Sequence, residues 1–133
     1  MKNRVVVVFI LLIIVFLAGF VPQYLKVKRL ENDLAVARQE NSLAQLRDLA
    51  ALTFVQASQK NYGLAAGTST QFFSRTREMA DRAPDANGRK ALEDLLTSQD
   101  KITAELANGD PGALGDLQVL FEKTRPASGA GNR

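Results

Sequence analysis

The sequence predicts an all-α protein: one N-terminal transmembrane helix, a helical stalk and a small antiparallel helical bundle. Three observations carry this. Val5 to Val21 holds 16 apolar residues in 17 and no charge. Gln23 to Lys60 contains neither Gly nor Pro, and Leu, Ala, Arg, Gln and Glu dominate it, all good helix formers. From Asn61 to Thr124, apolar residues recur at helical spacing between breaks rich in Gly, Pro and Asn.

Composition bounds the chemistry. The 133 residues include 17 Lys plus Arg and 14 Asp plus Glu, a net charge of +3, with no Cys, no His and no Trp. Disulfides, Cys/His zinc sites, thiol nucleophiles and imidazole bases are therefore excluded. An excess of three positive charges is too small for a nucleic-acid surface. The expectation is a non-catalytic protein without a cofactor or metal.

The anchor comes first. Val5–Leu25 is uncharged over 21 residues. At 1.5 Å per residue that is about 31 Å of helix, close to the ~30 Å hydrocarbon core of a bilayer. Lys2 and Arg4 flank one end; Lys26, Lys28 and Arg29 flank the other, with Tyr24 at the interface. A cleaved signal peptide is the rival reading. The tract Ala18-Gly19-Phe20-Val21-Pro22 puts Phe20 where a cleavage site needs a small residue, so an uncleaved anchor is preferred. Two basic residues and the α-amine face three across the span, so charge counting is nearly balanced. A basic tail before the first apolar run is the usual signal-anchor layout. Residues 1–4 are therefore expected in the cytoplasm and the rest of the chain outside it.

Residues 26–42 read as a stalk. Val27, Leu30, Leu34, Ala37, Asn41 and Ala44 alternate at spacings of three and four, a heptad seam with Asn41 at an a position. At about two and a half heptads, both a short coiled coil and a solvated stalk fit. Residues 43–124 read as the bundle. Leu43, Leu46, Ala50, Phe54 and Ala57 give the first face. Asn61 is expected to cap a second helix to about Arg82, facing inward through Tyr62, Ala66, Ser69, Phe73, Thr76, Ala80 and Ala83. Gly63 and Gly67 are expected to allow close helix approach. Asp85 caps a third helix with Ala91, Leu92, Leu95, Leu96, Ile102 and Leu106 inside, ended by Asn108-Gly109. Asp110-Pro111 opens a last helix with Leu114, Leu117, Leu120 and Phe121. Phe73 and Phe121 are the expected core aromatics. Residues 125–133 form a disordered tail.

An internal echo links the hairpins. Asn61-Tyr62 with Ala65, Phe72 and Phe73 returns 48 residues later as Gly109-Asp110 with Ala113, Leu120 and Phe121. The stretch Lys60-Asn61-Tyr62-Gly63-Leu64-Ala65 resembles the turn of a tetratricopeptide-type hairpin, although the offset exceeds that family's 34 residues. The resemblance covers residues 45–124 and implies protein–protein contact. The whole layout is similar to small, uncharacterised bacterial single-pass membrane proteins with helical hairpins outside the membrane.

Motifs that could carry chemistry are weak. Ser98-Gln99-Asp100-Lys101 matches the S-x-x-K nucleophile pattern, but the S-D-N and K-T-G partners of that chemistry do not occur. Glu93-Asp94 project about 100° apart on a helix and suit surface ion pairing. Gly109, Gly112 and Gly115 follow no strand and read as a turn. Arg75, Arg77 and Arg82 alternate with Glu78 and Asp81, as on a solvated face.

The function expected is a membrane-anchored protein-interaction or scaffold subunit of a bacterial envelope complex in the inner membrane. Its partners are the lipid bilayer and other membrane or periplasmic proteins, and the seam Val27, Leu30, Leu34, Ala37 and Asn41 also allows a homo-oligomer. Two alternatives remain: a coiled-coil structural subunit, similar to the small divisome proteins with one span and a coiled coil, and a sensory bundle binding a ligand between helices.

Overall fold

A computed structural model describes residues 1–125, and the expected tail from residue 126 lies outside them. The order is α1 (Lys2–Ser58), α2 (Tyr62–Arg82), α3 (Ala86–Leu96), α4 (Gln99–Ala107) and α5 (Ala113–Thr124). The described residues contain no strand, so the protein is all-α. The chain divides into two units, Met1–Gln39 and a second that begins at Glu40.

The first unit is helical from Lys2 onward. Pro22 lies inside α1. Its ring removes one backbone donor, and with it the bond that the Ala18 carbonyl would accept. Every large apolar side chain from Val5 to Leu17 is more than half exposed. A helix apolar around its whole circumference has no inner face to bury in water.

The second unit is built from helical hairpins. Gln56 Oε1 accepts from Thr68 Oγ1 at 2.8 Å and Gln45 Oε1 from Arg75 at 2.6 Å. The pairing moves outward in both directions from the turn, so the C-terminal part of α1 and α2 run antiparallel. Lys101 on α4 reaches Asp116 on α5 in the same way. Helix α2 also packs on α3 and α4.

The core is small side chains around a few large ones. Leu46, Phe72, Phe73, Ile102, Leu106 and Leu117 are its largest fully buried members, beside Ala50, Ala57, Ala65, Ala80 and Ala113. The Phe72 and Phe73 rings meet edge to face, 5.2 Å between centroids and 85° between planes, an arrangement that suits aromatic quadrupoles. Thr53, Thr76 and Thr124 are buried too. Each hydroxyl donates to a carbonyl one turn back, Leu49, Phe72 and Phe121 respectively, so none of these three is an orphaned donor.

Five expectations change. Ala91, expected inside, is exposed, because the inward stripe of α3 runs through Leu92 and Leu95, and Ala91 stands off it. The third helix is two helices. Thr97 Oγ1 donates to the Asp94 carbonyl at 2.6 Å and Ser98 Oγ to that of Leu95 at 3.0 Å. The Thr97 N–H bonds Asp94, three residues back, so the helix tightens and ends there. Gly63 and Gly67 do not mediate close approach: a Cβ on either would touch nothing within 4 Å. The buried alanines supply the small contact surface instead. Asn61 sits at the cap of α2, but its side chain makes no cap bond; with ψ at 57° the backbone is not in the extended conformation that aims the side chain at the first turn. Phe121 is only half-buried, and Phe72 takes its expected place beside Phe73. Asp85 does cap α3, accepting from Gly88 N at 2.8 Å, and Asp110 accepts from Gly112 N at 2.8 Å in the turn before α5.

Candidate membrane-spanning and partner-contact site

Helix α1 is long and apolar enough to cross a membrane, and no described part of its apolar stretch is buried against the rest of the chain. Lys2 and Arg4 stand exposed before the run, and Lys26, Lys28 and Arg29 stand exposed after it. Lys28 Nζ lies 5.8 Å from the Tyr24 ring centroid, close enough for a cation–π contact.

The seam residues also lie on α1. Successive helical residues turn by about 100°, so Val27, Leu30, Leu34, Ala37 and Asn41 fall in one stripe about 80° wide. All five are exposed, Leu30 by 67%. Two charged rows border the stripe. Lys26, Asp33 and Glu40 lie on one side, and Glu31 and Arg38 on the other. The sequence reading missed these borders, although the heptad register that gave the seam assigns them.

A charge cluster occupies the α4–α5 hairpin. Lys101 Nζ is 2.7 Å from Asp116 Oδ2 and 3.7 Å from Glu105 Oε1. The Glu105 and Asp116 carboxyls thus share the Lys101 ammonium. Burial, and then the Asp116 carboxylate, push the Glu105 carboxyl up from its ordinary value. The Lys101 ammonium holds Asp116 below its own. Asp116 raises Lys101 in turn. The S-x-x-K residues do not converge: Ser98 bonds the Leu95 carbonyl while Lys101 faces the carboxylates. Glu93 and Asp94 pair outward, with Arg89 at 2.9 Å and Lys123 at 3.0 Å.

The two hairpin turns match. The N–H of Lys60 bonds Ala57 and that of Asn61 bonds Gln56; the N–H of Gly109 bonds Leu106 and that of Asp110 bonds Glu105. Each is a Schellman ending with a left-handed residue at the same place, so Lys60 and not Asn61 corresponds to Gly109: the offset is 49 up to the turn and 48 after it. The likeness extends inward. Thr53 and Ala57 correspond to Ile102 and Leu106, and Ala65 and Phe72 to Ala113 and Leu120, all buried. Gln56 with Thr68 corresponds to Glu105 with Asp116.

Comparison with family models, curated proteins and solved structures gave no match.

Proposed function

We propose that this chain is a membrane-anchored interaction or scaffold subunit of a bacterial envelope complex. Val5–Leu25 holds it in the inner membrane, and the hairpin unit stands outside the cytoplasm. One observation carries the reading. From Val5 to Leu17 the apolar run of α1 is exposed on every side, while the unit that begins at Glu40 closes a core from its own residues. Such a run needs lipid around it, and such a unit needs none. The basic flanks at Lys2, Arg4, Lys26, Lys28 and Arg29 suit headgroups at both faces. The matched turns and their likeness to tetratricopeptide-type hairpins support protein contact as the role of the outer unit.

Carbonate washing of membranes, with intact-mass measurement of the retained protein, tests this. The full-length mass should stay in the pellet. A mature chain that begins near residue 20, or release into the wash, overturns the anchor.

A further inference from the structure

The exposed stripe on α1 carries a specific charge pattern. With Val27, Leu34 and Asn41 at a and Leu30 and Ala37 at d, the g positions are Lys26, Asp33 and Glu40. The e positions are Glu31, Arg38 and Gln45. In a parallel two-stranded coiled coil, each g residue meets the e residue five positions further along the other strand. Lys26 then faces the partner's Glu31, and Asp33 faces the partner's Arg38. Both are opposite in sign. Glu40 faces the partner's Gln45, which is neutral. No like-charged pair arises, and two-fold symmetry doubles each favourable one.

We infer that the occupant of this stripe is a second copy of the same chain, and that the two stalks form a short parallel coiled coil in register. The apolar a and d residues supply the contact: Val27, Leu30 and Leu34 are each at least half exposed in the single chain and become buried between two copies. Asn41 faces its own counterpart at an a layer, where paired side-chain amides satisfy each other only in the parallel, in-register arrangement. This inference rests on the anchored reading for its direction. Two chains held through the same leading helix in one bilayer point the same way. Co-anchoring also raises the effective concentration, which offsets the shortness of the seam. Beyond Ala44 the register meets Asp48 at a, so the pairing ends where the hairpin unit begins its own core.

The chain has no native cysteine, so single cysteines report on it cleanly. Full-length Leu30→Cys and Leu34→Cys in native membranes, treated with a mild oxidant, should form disulfide-linked dimers. Asn32→Cys and Gln39→Cys, on the opposite side of the helix, should form about tenfold fewer. In the Leu34→Cys background, Glu31→Lys sets two like-charged contacts across the dimer and should cut crosslinking about tenfold. Adding Lys26→Glu restores the opposite signs and should restore the yield. These changes lie in the exposed stalk, outside the core of the hairpin unit. Equal yields on both sides of the helix, no crosslinks at Leu30 or Leu34, or a double reversal that fails to rescue would each overturn the inference. Failure of the anchor reads separately. Crosslinks in protein released by carbonate leave the dimer standing and remove the anchor. A carbonate-resistant chain without front-face crosslinks does the reverse.

Discussion

Lys60 and Gly109 hold the same backbone conformation, φ 61° and 64°, at the same place in two helix-ending turns. The residue types differ. Glycine adopts the left-handed region without strain, whereas an L side chain there crowds its own carbonyl. Lys60→Gly should therefore stabilise the hairpin unit by about 0.5–1 kcal/mol, and Gly109→Ala should destabilise it by about 1–2 kcal/mol. Space is not the main obstacle at Gly109, because an added Cβ would come only to 3.4 Å from the Tyr62 ring. Urea melts of the full chain in mild detergent give both values. A Lys60→Gly chain less stable than the parent would remove the strain argument.

The polar contact behind each turn differs in the same way. The first hairpin pairs neutral Gln56 with Thr68, and the second sets the carboxyls of Glu105 and Asp116 about Lys101. Glu105 is raised above its ordinary 4.5, so the folded state binds its proton more tightly than the unfolded state does. Its contribution to stability is full below 4.5 and is lost as pH rises through the raised value. Asp116 is lowered from 3.8 by Lys101, so its contribution is present above 3.8 and is lost as pH falls through the depressed value. Stability should thus rise as pH falls from 7 toward about 4.5 and drop again below about 3.8. Glu105→Gln installs the amide of the first hairpin. It should raise the urea midpoint at pH 7 and flatten the dependence above 4.5, leaving the acid limb. A variant with the parent's full profile would show that Glu105 does not set it.

The core aromatics should separate by burial. Phe72→Ala and Phe73→Ala each remove a fully buried ring, at about 3–5 kcal/mol. A small alanine-rich unit has a total stability on the order of 5 kcal/mol, so either change brings it close to unfolding. Phe121 is half-buried, and its truncation should cost clearly less. Thermal melts by circular dichroism rank the three. Equal losses would mean that Phe121 is enclosed as fully as the other two.

The sequence made the helical class, the apolar run and the inward faces of α4 and α5 legible, because each rests on spacing alone. Residues with two physical readings were harder. Thr53 lies on the stripe of Leu46, Ala50 and Ala57; a hydroxyl is costly to bury alone, and the bond to Leu49 makes its burial cheap. Gly63 and Gly67 suggested contact because they are small, yet they face outward. Thr97 and Ser98 sit inside an unbroken apolar pattern. Their hydroxyls, turned back on Asp94 and Leu95, end the helix without the Gly or Pro that punctuates a sequence. The seam was legible as apolar spacing, while its charged borders needed the register to be carried one position outward on each side.

Orientation is the last and most consequential test. The flanking charges are nearly matched, Lys2 and Arg4 before the run against Lys26, Lys28 and Arg29 after it. Charge bias orients a span through the residues nearest its ends. The proposed direction places Lys2 and Arg4 in the cytoplasm, so they retain the leading end there. A periplasmic phosphatase fused after Arg133 should be active, and an ordinary green fluorescent protein at the same place should be dark. Replacing Lys2 and Arg4 with glutamine removes the retaining charge and should invert a measurable fraction of chains. Replacing Lys26, Lys28 and Arg29 should leave the direction unchanged, since the opposing bias only weakens. The reverse pattern, a bright protein and a silent phosphatase in the parent, would put the hairpin unit in the cytoplasm. Lys26, Lys28 and Arg29 would then face the anionic inner leaflet, at about 1 kcal/mol of attraction per basic residue, and the partners would be cytoplasmic.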